Sequence, residues 1–303
     1  MRNLIEFGEF KWVDIINPTD EDIAFAKKTF RLHPASLRKI IPAVMHPDFD
    51  VFPNHISMVL HYPRNEDQGG VEIHELDIIA GKNFLITNHY TPIKPVSTFF
   101  DECLSSEEQR KKYMEKGIGY LLFHVLNRFL RRVLEKTDKI GEDVAAIERG
   151  IFTEKEEKMV KNISYLKRRI ISFWRAIDPQ KQVFSCLETT GANFLGEEYK
   201  YYFSNLYSMD LRIDNSLRTY KETIESLEQT NHSMANLKRN DIIKLLTIFS
   251  VILMPLTLLA SIWGMNTNLL PFMDTQTDFW LIMGLMAIVL ISMLTYFKFR
   301  KWL

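Results

Sequence analysis

The sequence predicts an α+β membrane protein. It reads as an N-terminal α/β cytosolic domain, a long stalk helix continuous with a first transmembrane helix, and a second transmembrane helix at the C-terminus. Three observations predict this. Residues 245–263 and 279–297 are two 19-residue stretches without a charged residue. Between about residue 198 and Pro255 there is neither glycine nor proline. Before residue 95, short alternating runs broken by turn residues replace helical periodicity.

Each uncharged stretch can cross a hydrocarbon core of ~30 Å at ~1.5 Å per helical residue. Lys238, Arg239 and Lys244 precede the first, and Lys298, Arg300 and Lys301 follow the second. The connecting loop, residues 264–278, holds no Lys or Arg but has Asp274 and Asp278. Positive flanks stay inside, so both termini are expected in the cytosol and the loop outside, in the inner (cytoplasmic) membrane. Trp263, Trp280, Tyr296 and Trp302 fall near the expected interfaces, where amphipathic rings prefer to lie.

In the first 95 residues, segments 10–16, 55–61, 71–80 and 83–87 read as strands, the last two parted by Gly81-Lys82. Thr19 with Asp22 three residues on opens a helix through Phe30, with Asp in place of the usual Glu in the capping box. His33-Pro34 and His46-Pro47 bracket a second helix, since the residue before proline disfavours αR. Strand order is not legible. From Gly117 the pattern turns helical: residues 118–149, then 154–189, then a helix from near Glu198 that would reach Trp263, roughly 100 Å at helical rise. Leu206, Met209, Ile213, Leu217, Tyr220, Ile224 and Leu227 recur at spacings of three and four, as in an amphipathic or coiled-coil stalk. Domain limits are therefore 1–116, 117–240 and 241–303. Pro255 lies mid-span, where it removes one hydrogen bond and kinks the helix or sets a pore width.

Composition excludes several functions. Lys plus Arg and Asp plus Glu are 38 each, so no overall basicity supports nucleic-acid binding. Two cysteines, Cys103 and Cys186, exclude a disulfide framework and a zinc site of three or four thiolates. The first residues lack the apolar core of a signal peptide. Neither HExxH nor GxSxG appears, and no Walker-type phosphate loop, so an enzyme is not expected. His33, His46, His55, His61, His74 and His89 gather in the N-terminal domain, where sheet surfaces and turns account for them. Neither span holds a carboxylate or histidine, so no proton relay is expected there.

Gly264-Met265-Asn266 follows the first span directly, and with the short acidic loop and basic tail it resembles the CorA family of divalent-cation channels. Asn240, Leu246-Thr247-Ile248, Met254-Pro255-Leu256-Thr257 and Lys301-Trp302-Leu303 support the resemblance, as do Leu32-His33-Pro34 and residues 81–87 in the first domain. It implies a homopentamer, with the stalk helix lining a pore, the second span facing lipid, and Gly264, Met265 and Asn266 as selectivity filter at the outer face. It implies Mg²⁺ uptake, with passage of Co²⁺ or Ni²⁺ as well. The family also contains Zn²⁺ transporters, and a two-span membrane sensor without ion flux is the rival of another class.

The chemistry suits magnesium. Mg²⁺ surrenders water reluctantly, so a fast pathway should pass the hydrated ion. A ring of Asn266 amides can accept hydrogen bonds from ion-bound water without holding the ion too tightly; the alternative is that Asn266 caps the helix. Gly264 lets the backbone turn after the helix, and Met265 packs, since a thioether suits a hard cation poorly. Stepping by three or four from Asn240 gives pore positions Ile243, Leu246, Thr247, Ser250, Met254, Thr257 and Ser261. Leu246 and Met254 form apolar rings able to gate by dewetting. A 100 mV inside-negative potential supplies about 4.6 kcal/mol for a divalent ion, at ~2.3 per charge. In the family, acidic residues between cytosolic domains sense internal Mg²⁺; Asp210, Asp214 and Glu222 are the candidates, their alternative being a solvated charged face. Asn268 and Phe272 stand where the family often has acids, which weakens steering at the mouth.

Overall fold

The computed structural model describes residues 2–38, 40, 46–65, 70–152, 156–265, 276–300 and 302. The chain forms two compact units, Met1–Glu228 and Gln229–Leu303. The first contains a six-stranded sheet of order β1-β2-β6-β5-β4-β3. Its strands are β1 Arg2–Phe7, β2 Phe10–Ile16, β3 Asp48–Val51, β4 His55–Asn65, β5 Val71–Gly81 and β6 Phe84–His89. All neighbours run antiparallel except β2 and β6. β1 and β3 were not expected from the sequence. Both are edge strands, paired on one side only, so their side chains alternate weakly.

Side-chain period two divides the sheet between two cores. Trp12, Ile78, Ala80 and Leu85 join the larger core, whereas Val13, Ile15, Ile79, Phe84 and Ile86 join a smaller one. The smaller is closed by α1, Asp20–Phe30, through Ala26 and Phe30. α1 starts as expected: Thr19 and Asp22 close the capping box reciprocally, the Thr19 N–H donating to Asp22 Oδ2 at 3.2 Å and the Asp22 N–H to Thr19 Oγ1 at 3.4 Å. The bracketed second helix is shorter than expected. α2 is only Pro34–Leu37, and Lys39 and residues 41–45 lie outside the described residues.

The larger core is covered by α3 Lys94–Ser105, α4 Glu107–Met114 and α5 Ile118–Gly150, the last within a residue of its expected span. The single helix expected over 154–189 is instead α6 Glu156–Ile177, α7 Gln180–Cys186 and a π-turn Leu187–Gly191. Asp178-Pro179 makes the break, because proline lacks the N–H and disfavours αR before it. The break seats buried Gln180 on β4, where its amide bonds both polar groups of the His61 backbone, at 3.0 and 3.3 Å. α8 Ala192–Leu195 and a 3₁₀ turn Glu197–Tyr199 lead to α9, Lys200–Trp263.

Within the first unit, Leu206, Ile213, Leu217 and Ile224 of α9 are buried, and Met209, Tyr220 and Leu227 pack beside them. The stripe closes on the chain's own core rather than on a solvated coiled-coil partner. Gly141 of α5 makes room for Tyr220 of α9: a Cβ there would overlap the Tyr220 side chain. One core thus includes residues from Ile5 to Ile224. α5 needs the sheet, and the sheet needs α5, to cover their apolar faces. The two compact units divide at 228/229. The second unit consists of the rest of α9 and of α10, Gln276–Phe299, which overruns the expected 279–297 at both ends.

Candidate functional site

Two helices are long and apolar enough to cross a membrane, and of their most apolar windows only 6% and 0% is buried. The core helix of a soluble protein would be mostly buried, whereas these two are almost wholly exposed.

α9 and α10 meet along one seam. Ile248, Ile252 and Phe297 are buried, with Leu256, Leu290 and Met293 against them. At about 100° per residue, Ile248, Ile252 and Leu256 occupy one narrow face of α9. Ile243, Leu246, Ser250, Met254, Thr257 and Ser261 cluster within about 80° on the opposite face. All six are exposed, Leu246 at 66% and Met254 at 77%. The structure thus brings six expected pore positions onto one unpartnered strip. Thr247, half-buried, and Asn240, exposed, fall at its margin. The sequence reading missed Leu253 and Val251, which line the same groove of about 840 Å³ beside Met254, Thr257 and Ser261. Their apolar side chains match those of the seam in type, so only the packing tells the faces apart.

The hydroxyls on and beside this strip are already oriented. Thr247, Ser250 and Thr257 each donate to the carbonyl four residues earlier, at 2.8, 3.0 and 2.8 Å. Each proton is therefore committed and each oxygen keeps its lone pairs. Such oxygens accept from the O–H groups that a hydrated cation turns outward.

The helix ends at the motif. The Gly264 N–H bonds the Ala260 carbonyl at 2.9 Å, and Met265 bonds Ile262 at 3.3 Å. Gly264 does not take a left-handed φ; a Cβ there would come within 3.1 Å of the Ala260 oxygen, a tight contact with backbone. Asn266 lies outside the described residues, as does the rest of the loop to residue 275.

Asp210, Asp214 and Glu222 do not converge. Glu222 is exposed, whereas Asp210 and Asp214 are buried inside the first unit, which corrects the solvated-face reading for these two. Asp214 accepts from the Trp174 indole at 2.8 Å, with Arg218 at 3.7 Å. Among the described residues, neither oxygen of Asp210 has a hydrogen-bond partner. Burial, reinforced by Asp214, pushes the Asp210 carboxyl up to about 8. No group of three or more metal-ligating side chains occurs among the described residues.

His89 is wholly buried, its ring bonded to Asp14 at 3.2 Å and to the Thr91 carbonyl at 3.0 Å. Thr87 donates to the same Asp14 oxygen at 2.6 Å and accepts from the Trp12 indole at 3.2 Å. This chain of groups resembles a catalytic relay, but its members are shut away from any substrate.

Comparison with known proteins agrees with the geometry. A family model described as "CorA-like Mg2+ transporter protein" matches residues 7–301. The cobalt/magnesium transport protein CorA of Thermotoga maritima is 24% identical over 320 aligned positions, covering 98% of this chain and 90% of that protein. Its namesake from Methanocaldococcus jannaschii is 23% identical, covering 99% and 94%. The complete structure of the magnesium transporter from that second organism superposes with a TM-score of 0.84 over 99% of this chain and 94% of the other, at 23% identity.

Proposed function

The chain belongs to the CorA-like Mg²⁺ transporter family, whose members carry divalent cations across a membrane and are not enzymes, and on that premise we propose that its cargo is hydrated Mg²⁺. Co²⁺ and Ni²⁺, which keep similar water shells, are expected to pass as well. Copies of the chain, five in the proposed assembly, surround an axial pathway with the strip from Ile243 to Ser261 turned inward. The seam to α10 then lies outward, and α10 meets lipid.

The observation that supports this reading is the strip itself, exposed and opposite the seam. Its apolar rings at Leu246 and Met254 alternate with hydroxyls whose lone pairs are free. Apolar rings close by dewetting, and hydroxyl rings receive the water shell when open. Gly264, Met265 and Asn266 form the proposed outer filter, the neutral amides of Asn266 holding ion-bound water. Both termini are placed in the cytosol, and the membrane potential supplies the drive. Mg²⁺ is the cargo in this proposal. Asp210 and Asp214 are buried inside the first unit, whereas Glu222 is exposed.

The test is uptake by proteoliposomes loaded with a Mg²⁺-sensitive dye. Asn266→Ala should abolish uptake while the oligomer still elutes as the parent does. Undiminished uptake would remove the filter, and no flux from the parent protein would favour the two-span sensor. Competition by Co²⁺, Ni²⁺ and Zn²⁺ separates a Mg²⁺ carrier from a Zn²⁺ transporter.

A further inference from the structure

The turn after β5 and the end of α1 build a pocket of about 460 Å³ that the transport pathway does not use. This volume lies within the ~300–1,000 Å³ usual for small-molecule sites. Three cationic side chains line it: Lys11 of β2, Arg31 at the C-cap of α1, and Lys82 in the β5–β6 turn. None of the lining residues is acidic. Lys11 is paired with Glu6 at 2.7 Å. Among the described residues, the side chains of Arg31 and Lys82 have no hydrogen-bond or ion-pair partner.

The pocket is held in shape by its surroundings. Arg31 sits in the left-handed region at φ 53°, uncommon for a residue with a Cβ. Its carbonyl and that of Phe30 accept from the Asn54 amide at 3.0 and 3.3 Å, which secures the turn. The Phe84 and Phe30 rings pack with centroids 4.6 Å apart behind it. Gly81 is needed there, since a Cβ would overlap the Phe84 ring. The Lys11 N–H bonds the Asn83 carbonyl at 3.0 Å, fixing the turn to β2. Half-buried Phe194 of α8, which also packs against the larger core, lines one side.

We propose that this pocket binds the polyphosphate chain of a nucleotide. Guanidinium and ammonium groups with no internal partner, on a scaffold fixed by backbone bonds, suit phosphate oxygens better than a single carboxylate. The spread of three cations around the pocket suits a chain of phosphates rather than one. Phe194 offers a face on which a base can stack.

The experiment is titration calorimetry on the full-length protein in nanodiscs at fixed free Mg²⁺, with orthophosphate, tripolyphosphate and ATP as probes. Saturable binding of tripolyphosphate and ATP, one per chain and weakened by salt, is expected. Lys82→Glu and Arg31→Asn should each weaken it at least tenfold, with unchanged melting. Asn tolerates the left-handed backbone at 31, and Lys82→Gln serves should the charge reversal fail to fold. Equal affinity for the two probes assigns the site to the phosphate chain alone; tighter ATP adds the base on Phe194. No saturable binding, variants that bind like the parent, or orthophosphate held as tightly as tripolyphosphate would overturn the proposal. None of these readouts requires ion flux, so they stand apart from the test of transport.

Discussion

Asp214 accepts a 2.8 Å hydrogen bond from the Trp174 indole, whereas Asp210, one turn earlier on α9, is equally buried and has neither oxygen hydrogen-bonded among the described residues. An unanswered carboxylate in the interior favours its neutral form. The neighbouring Asp214 and Asp178 push in the same direction, and Lys181 opposes them. Burial, with Asp214 beside it, thus favours the protonated form of Asp210.

A pH dependence of stability follows. With a folded value near 8 against an ordinary 3.8, the native state holds this proton more tightly than the unfolded chain. Its stabilising share is complete below about pH 4 and is lost as pH rises through about 8. Asp210→Asn keeps the shape without the titration. Its advantage over the parent should grow between pH 5 and 9, reaching roughly 2–4 kcal/mol at ~1.4 per pK unit after allowance for relaxation. Melting curves across that range check this; a pH-independent difference would place the proton elsewhere.

Leu246 is an exposed apolar residue of the strip that carries Ser250 and Thr257. If the proposed apolar ring gates the pathway, Leu246→Asn should wet it and keep Mg²⁺ flowing at high internal Mg²⁺, where the parent is expected to shut. Dye-loaded proteoliposomes prepared with high and low internal Mg²⁺ compare the two. A variant that still shuts would discount gating at this ring.

Thr257 offers only lone pairs outward, its proton being held by the Leu253 carbonyl. Thr257→Val preserves the volume and deletes the acceptor. One hydrogen bond to a charged group contributes ~1.5 kcal/mol or more, so Mg²⁺ uptake should fall roughly tenfold. Unaltered uptake with intact assembly would mean that residue 257 packs and does not meet the ion.

Gly141 admits the Tyr220 ring between α5 and α9. Gly141→Leu should lower stability by ~1–3 kcal/mol, the usual cost of overpacking. Adding Tyr220→Ala should return part of that loss, because the two side chains contend for the same space. Thermal melts of the single and double variants measure the coupling.

Local chemistry was legible in the order of residues. Charge-free runs of membrane length, the Thr19–Asp22 cap, strand β2 and the limits of α5 each depend on neighbours within a few positions. So does the heptad-like spacing of α9, whose expected apolar positions are the ones that pack. The family resemblance needed only short strings, and the match over residues 7–301 agrees with it.

Folding in three dimensions decided the rest. Edge strands β1 and β3 depend on partners that the local pattern does not announce. The same acidic residue type is exposed at Glu222 and sealed in at Asp210, because α6 and α7 turn back over one face of α9 and not the other. Leu246 and Ile252 are alike as sequence, yet one is exposed and the other lies in the seam with α10. Helical periodicity fixes which residues share a face, but what each face meets is set by contacts between segments far apart in the chain.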